Sequence, residues 1–177
     1  MLDTCVLFPS TLCDTLLRIA STRTFRPLWS ADIMTELHRS LVKKGLAADR
    51  ADRRIGHMNR FFPDAMVSGY ESLVGQMTND PKDRHVLAAA VRAGAEVIVT
   101  FNLGDFRTTD LAPYDVEAVS PDDFLLDQLD LYPAVTIRAL EAQAAAHRRE
   151  PKTVPGILAA LERCGLPGFA AEVRRHL

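Results

Sequence analysis

The 177-residue sequence is short of cysteine, aromatic side chains, net charge and long apolar runs. Its three cysteines, Cys5, Cys13 and Cys164, are odd in number and lack paired metal-ligand spacing. That argues against a disulfide scaffold or a structural zinc site and points to a reducing, cytoplasmic setting. Aromatic residues make up 7% of the chain and form no visible platform for stacking bases. Lys and Arg number 21 against 23 Asp and Glu, a net charge of -2, so any nucleic-acid partner has to be read from local patches. Apolar runs such as 12–20 and 86–95 fall short of the ~20 residues that span a bilayer. Asp3 interrupts anything like a secretory leader, so no membrane association is expected.

What is present is an alternation of strand-like and helical patterns. Met1 to Pro9 is apolar around one acid, and Ser10 or Thr11 opens a helical pattern through Leu12, Leu16, Leu17 and Ala20: strand, turn, helix. Arg26 to Trp29 is a short strand candidate, and Ser30 caps a predicted helix with Ile33, Met34, Leu37 and Leu41 on its apolar face. A third helix is expected from about Ala47 to Phe62. Its apolar positions are Ile55, Met58, Phe61 and Phe62, and Arg50, Arg53, Arg54, His57 and Arg60 form one basic stripe. Ala65 to Val67 is a weak strand. Asp80-Pro81 fits an N-cap followed by proline, with Val86, Leu87, Ala90 and Val91 buried and Gly94 as the left-handed exit. Glu96 to Thr100 reads as a central parallel strand ended by a turn over 102–105, Val116 to Val119 as a last strand, and Ser120 as the next helix cap. Such alternation implies right-handed parallel crossovers and a three-layer α/β/α sandwich around a parallel sheet, expected over residues 1–132. From Pro133 the pattern is helix only, over 134–149, 154–164 and 167–177 with a polar break at 150–152. Residues 133–177 therefore read as a helical C-terminal segment.

In parallel sheets chemistry gathers at the carboxyl ends of the strands. Asp3 ends the first expected strand, Asp105 lies just past the strand ending at Thr100, Asp83 sits in the first turn of a helix, and Glu36 lies on the helix after the second strand. Brought to one rim, these carboxylates repel by ~4 kcal/mol per close pair at an effective dielectric of about 20. A hard divalent cation with oxygen ligands, Mg²⁺ or Mn²⁺, is the natural counter-charge, and it suits phosphodiester hydrolysis by polarising a phosphoryl oxygen and activating water. Taken singly, Asp83 also reads as a helix-dipole partner, Glu36 as a solvated helix residue and Asp105 as turn chemistry. Asp3 differs, because a carboxylate inside an apolar strand is costly unless paired or metal-bound. The basic stripe, with Arg39, Lys43 and Lys44 one helix earlier, reads either as a solvated face or as a guide for an RNA backbone. His85 is assigned no catalytic role, and Cys5 reads as a small buried filler.

The segments from Leu2 to Pro9, Ser30 to Leu37, Asp80 to Ala90 and Thr100 to Phe106 resemble the ordered motifs of PIN-domain nucleases, particularly VapC-type toxins of bacterial type II toxin–antitoxin modules. The resemblance runs from residue 1 to about 125. It implies an α/β/α fold, Mg²⁺- or Mn²⁺-dependent ribonuclease activity, a homodimer and neutralisation by a VapB-like antitoxin. Asp3, Glu36, Asp83 and Asp105 match the acidic quartet. In that resemblance Asp3, Asp83 and Asp105 hold the metal, and Glu36 ligates it or orients the attacking water. Thr100 and Asn102 match polar positions near the fourth acid and, with Thr4, support the acids or contact the scissile phosphate. Arg50, Arg53, Arg54 and Arg60 are the expected RNA contacts. The tail after Pro133 resembles the extra segment of a longer VapC-like subgroup.

Two departures keep a second reading open. Cys5 stands where the family usually has asparagine, removing an amide beside the acids, and the first strand is short. A PIN-like module that binds RNA or protein without cutting is the alternative. A receiver domain would need an acidic pair after its first strand and an aspartate after its third, and an aspartyl phosphatase would need Asp-x-Asp where Cys5 stands.

Overall fold

The computed structural model describes residues 1–146 and 153–177, so the expected break at 150–152 and the end of the helix placed over 134–149 lie outside the described residues. The chain divides into two compact units, one of residues 1–8 and 27–119, the other of residues 9–26 and 120–177.

In the first unit Leu2 forms a parallel bridge with Val99. The Asp3 N–H donates to Val99 O (3.2 Å), the Val99 N–H to Met1 O (2.8 Å), and the Leu2 N–H to Leu28 O on the other side (2.9 Å). The strand expected over the opening residues is thus reduced to one bridge, because the Asp3 side chain accepts the Thr4 N–H and turns the chain into helix α1 (Thr4–Leu7). Helix α2 (Ser10–Ser21) belongs to the second unit. Strand β1 (Trp29–Ser30) ends where the Ser30 hydroxyl accepts the Ile33 N–H and starts α3 (Ala31–Lys43). Helix α4 (Ala48–Phe61) buries Ala51 and Met58, whereas Phe61, expected on its apolar face, is 77% exposed. Strand β2 (Met66–Val67) pairs in parallel with β1, Trp29 opposite Met66 and Ser30 opposite Val67.

A short helix α5 (Glu71–Val74) precedes α6 (Arg84–Ala93). Helix α6 does not begin at Pro81 as the proline suggested: the Asp83 N–H closes a turn onto Asp80 O (2.9 Å), which leaves Asp83 at the N-cap rather than in the first turn. Gly94 takes the left-handed exit (φ 61°). Strand β3 (Val97–Val99) then pairs in parallel with β4 (Glu117–Val119), with α7 (Thr108–Leu111) between them in sequence. The Thr100 hydroxyl stops β3 by accepting the Asn102 N–H (3.0 Å), and a 3-10 turn over Leu103–Asp105 follows. Among the described residues the strands are two or three residues long and form two parallel pairs set among helices, with Leu2 bonded to Val99 of one pair and to Leu28 beside the other, so the sheet is much smaller than expected. Asp3, Ser30 and Thr100 each divert a strand into a turn or helix through a side-chain hydrogen bond.

The second unit is helical, built of α2 with α8 (Pro121–Leu131), α9 (Pro133–Ala146), α10 (Val154–Arg163) and α11 (Pro167–Arg175). Ser120 caps α8 by accepting the Asp123 N–H (3.1 Å), as expected. Thr15 of α2 donates to Gln143 Oε1 of α9 (2.8 Å), and Gln143 returns its amide to Thr11 O (3.1 Å), so this buried polar contact is reciprocated within the unit. Among the described residues no helix is long and apolar enough to cross a membrane.

Candidate active site

A cavity of about 440 Å³ in the first unit is lined by Asp3, Thr4, Cys5, Phe8, Glu36, Ser40, Asp83 and Asn102. Three of the four expected acids therefore share one cavity. Asp105 is not in its lining but is tied to it through Lys82, whose Nζ lies 3.0 Å from Asp105 Oδ2 and 3.9 Å from Asp83 Oδ2.

The acids are held in two different ways. Asp3 is 3% exposed, yet its oxygens have donors: Thr4 N–H on Oδ1 (2.6 Å), and the Thr100 hydroxyl (2.7 Å) and Cys5 thiol (3.1 Å) on Oδ2. Glu36 reaches across from α3 and takes the Thr4 hydroxyl on Oε2 (2.9 Å) and His85 Nε2 on Oε1 (3.1 Å). Burial acts to raise the Glu36 carboxyl, but the bonds from His85 and Thr4 outweigh it and hold it below the usual carboxylate range. At His85 burial acts downward and the Glu36 bond, the stronger influence in sum with that carboxylate's charge, moves the imidazole up. Asp83, by contrast, is 8% exposed with no hydrogen-bond partner on Oδ2, Lys82 standing beyond hydrogen-bond reach. Burial first, then the charge of Asp3, push its carboxyl up to about 7, with Lys82 opposing and Asp105 adding to the rise.

Cys5 is more than filler. Burial and the Asp3 charge push its thiol up to about 12, so it stays protonated, donates to Asp3 and accepts the Phe101 N–H (3.2 Å). It thereby supplies a hydrogen-bond donor beside the acids even though the amide is missing. Thr100 is fully buried and Asn102 reaches the cavity lining. The basic stripe is split. Arg50 and Arg60 are exposed on α4, Arg53 is paired with Asp49 (2.8 Å), and Arg54 donates to Leu7 O (2.6 Å) and Phe8 O (3.3 Å) at the end of α1. Phe8, Ser40 and Lys82 were not singled out as site residues from the sequence, and His85 was given no catalytic role there although it bonds Glu36. Of these only His85 carried a sequence signal, its spacing of two residues from Asp83.

Residues 1–104 match the PIN domain family. The chain belongs to the PIN-domain family. Residues 121–175 of this PIN-domain chain match a second pattern, the VapC50 C-terminal domain. A Mycobacterium tuberculosis (strain ATCC 25618 / H37Rv) protein named "Putative ribonuclease VapC50" is 50% identical over 111 residues, covering 63% of this chain and 65% of that protein. The chain thus spans a little under two thirds of the curated relative it matches. No solved structure matches it.

As donors, the PIN-domain acids fit a hard dication in kind. They offer oxygen ligands only, and Asp83 Oδ2 is a buried carboxylate oxygen that no protein donor satisfies. Their arrangement is not an assembled coordination shell: among the described residues no group of three or more His, Cys, Asp or Glu side chains is placed to hold an ion. Lys82 provides the local positive charge instead.

Proposed function

We propose that this chain is a metal-dependent endoribonuclease of the VapC type, hydrolysing RNA phosphodiester bonds with Mg²⁺ or Mn²⁺, and the toxin of a pair neutralised by a VapB-like antitoxin. The name of the mycobacterial relative supports that reading, as does the family match. The observation that carries it is Asp83: a buried carboxylate, with one oxygen lacking a donor, crowded by Asp3 and Asp105. A protein keeps a repulsion that Lys82 only partly offsets where a ligand can complete the relief. We further propose that the short parallel strands with their flanking helices are the family's three-layer arrangement in reduced form, and that the protein acts in the cytoplasm as a homodimer.

A bound dication would be held by Asp3, Asp83 and Asp105, and would polarise a phosphoryl oxygen and lower the pKa of water. The chain's own groups do the rest. Thr100, Cys5 and the Thr4 N–H hold Asp3 in place, and Glu36, which takes the Thr4 hydroxyl, directs the attacking water. Asn102 and Ser40, polar and in the lining, are placed to contact the phosphate, and Phe8 gives the cavity an aromatic ring for an unpaired base. The exposed Arg50 and Arg60 serve the RNA backbone beyond the cavity.

The test is incubation of the purified protein with total cellular RNA and Mn²⁺, with EDTA and with the Asp3→Asn and Asp83→Asn variants. Cleavage lost in all three controls is the expected result, and cleavage that persists in EDTA sinks the metal-dependent reading. One observation favours a noncutting PIN-like module that binds RNA or protein: the Lys82 ammonium already lies against Asp105 and near Asp83. Calorimetry that finds no Mg²⁺ or Mn²⁺ binding to the wild type would select that module.

A further inference from the structure

We infer that His85 is the positioning residue for Glu36, fixing Oε1 from α6 while Thr4 fixes Oε2 from α1, so that this carboxylate faces the cavity in a single orientation. The inference rests on the nuclease reading for its consequence, though not for its geometry.

Glu36 is 36% exposed at its side chain, and a helix glutamate so exposed ordinarily samples several rotamers. Here two donors from separate elements take its two oxygens, at 2.9 Å from Thr4 and 3.1 Å from His85. The imidazole has no competing use. Its side chain is 13% exposed, and Nδ1 is buried with no hydrogen-bond partner. Facing a carboxylate, Nε2 must carry the proton, and a bare Nδ1 lone pair costs less than a buried N–H lacking an acceptor. A histidine serving only the packing of α6 would have no need to spend its one bond on a residue of the cavity. His85 itself is not in the cavity lining whereas Glu36 is, so it acts through Glu36 and not on substrate. Whether Glu36 ligates an ion or directs water, each role requires an oriented carboxylate, and the partner that orients it belongs to the machinery.

The experiment has two readouts. In single-turnover cleavage of RNA with Mn²⁺, His85→Ala should lose about 10- to 100-fold in rate with RNA affinity held within about twofold. His85→Gln, whose amide N–H offers a donor to the same oxygen, should recover most of that loss. In a Glu36→Gln background, removing His85 should cost nothing further. Losses that multiply, or a Gln variant no better than Ala, overturn the inference. The second readout is the imidazole ¹⁵N spectrum of the metal-free protein at fixed pH, which does not depend on the Ala variant folding. Glu36→Gln should move the His85 Nε2 signal, and an unmoved signal overturns the inference even if RNA is cut. A wild type that cuts no RNA but shows the shift removes the nuclease reading and leaves the positioning role standing.

Discussion

Asp83 and Asp122 are both carboxylates at the start of a helix, and the chain treats them in opposite ways. Asp122, in the first turn of α8, also accepts the Gly168 N–H (3.0 Å) and the Phe169 N–H (2.7 Å), satisfying the open end of α11. Asp83 holds the N-cap position of α6 yet makes no capping hydrogen bond, and its Oδ2 is buried without a donor. Capping is worth about 1 kcal/mol and is the default use of such a residue. A helix that forgoes it, and crowds the carboxylate with Asp3 instead, gives up stability locally. The difference separates an acid that serves the fold from one that the fold leaves unsatisfied, as the proposed chemistry requires, a distinction that residue type and helix position do not make.

The comparison can be broken most sharply inside the site. Asp3→Asn and Asp83→Asn should each reduce RNA cleavage by at least about 100-fold, since each removes a carboxylate from the proposed metal site. Their effects on metal-free stability should have opposite signs. Asp3→Asn replaces an acceptor that takes bonds from Thr4, Thr100 and Cys5 with a group half of which is a donor, and should destabilise by roughly 1–3 kcal/mol. Asp83→Asn removes a repelled charge that lacks a donor, and should stabilise by about 1 kcal/mol. Urea denaturation in EDTA reads both. A destabilised Asp83→Asn protein would show that Asp83 supports the fold after all.

Two substitutions in the helical unit sharpen the other side. Asp122→Ala leaves two N–H groups of α11 without their acceptor and should cost about 2 kcal/mol in urea, with cleavage per folded molecule unchanged. Gly168→Ala is a smaller insult of the same kind. A Cβ there would stand 2.9 Å from Asp122 Oδ2 and 3.2 Å from Leu126 Cδ1, so the carboxylate must shift off its N–H donors, at about 1 kcal/mol. Equal stability of the Gly168→Ala protein would mean that Asp122 holds α11 only loosely.

Much of this was legible before the structure. The caps at Ser30 and Ser120 and the exit at Gly94 were written in local sequence, where one side chain and its nearest backbone decide the outcome, and the parallel strand Val97–Val99 in its unbroken apolar run. The start of α6 was not, since Asp80-Pro81 carries the same signal whether the helix begins at once or after a turn. Phe61 misled because a periodic apolar residue near a helix end is buried only if something covers it. Within the site, all four acids could be named from motif order, and three of them, Asp3, Glu36 and Asp83, line one cavity. The Arg54 contacts to Leu7 and Phe8 could not, because they join the end of α1 to a residue some 46 positions distant, and the place of Phe8 in the cavity lining likewise depends on residues remote in sequence. The His85 bond to Glu36 spans 49 positions and was equally hidden, although both residues were in view.

The smallest effect expected bears on how the proposed site would take an ion. Lys82 places an ammonium 3.0 Å from Asp105 Oδ2, where it offsets the charge that a dication would otherwise neutralise. A dication would compete with it for one pair of carboxylates, so the ammonium would have to withdraw for the proposed metal to enter. Its side chain is 63% exposed, which makes withdrawal into water easy, and the competition is correspondingly weak. Lys82→Met keeps the aliphatic stem and removes the charge. Mn²⁺ binding followed by calorimetry at low salt should tighten by about threefold, and the gain should shrink as salt screens the ammonium in the wild type. Weaker binding in Lys82→Met would mean that the lysine helps to gather the acids rather than occupying the ion's place, and the contrast between satisfied and unsatisfied carboxylates would then have to be drawn at Asp83 alone.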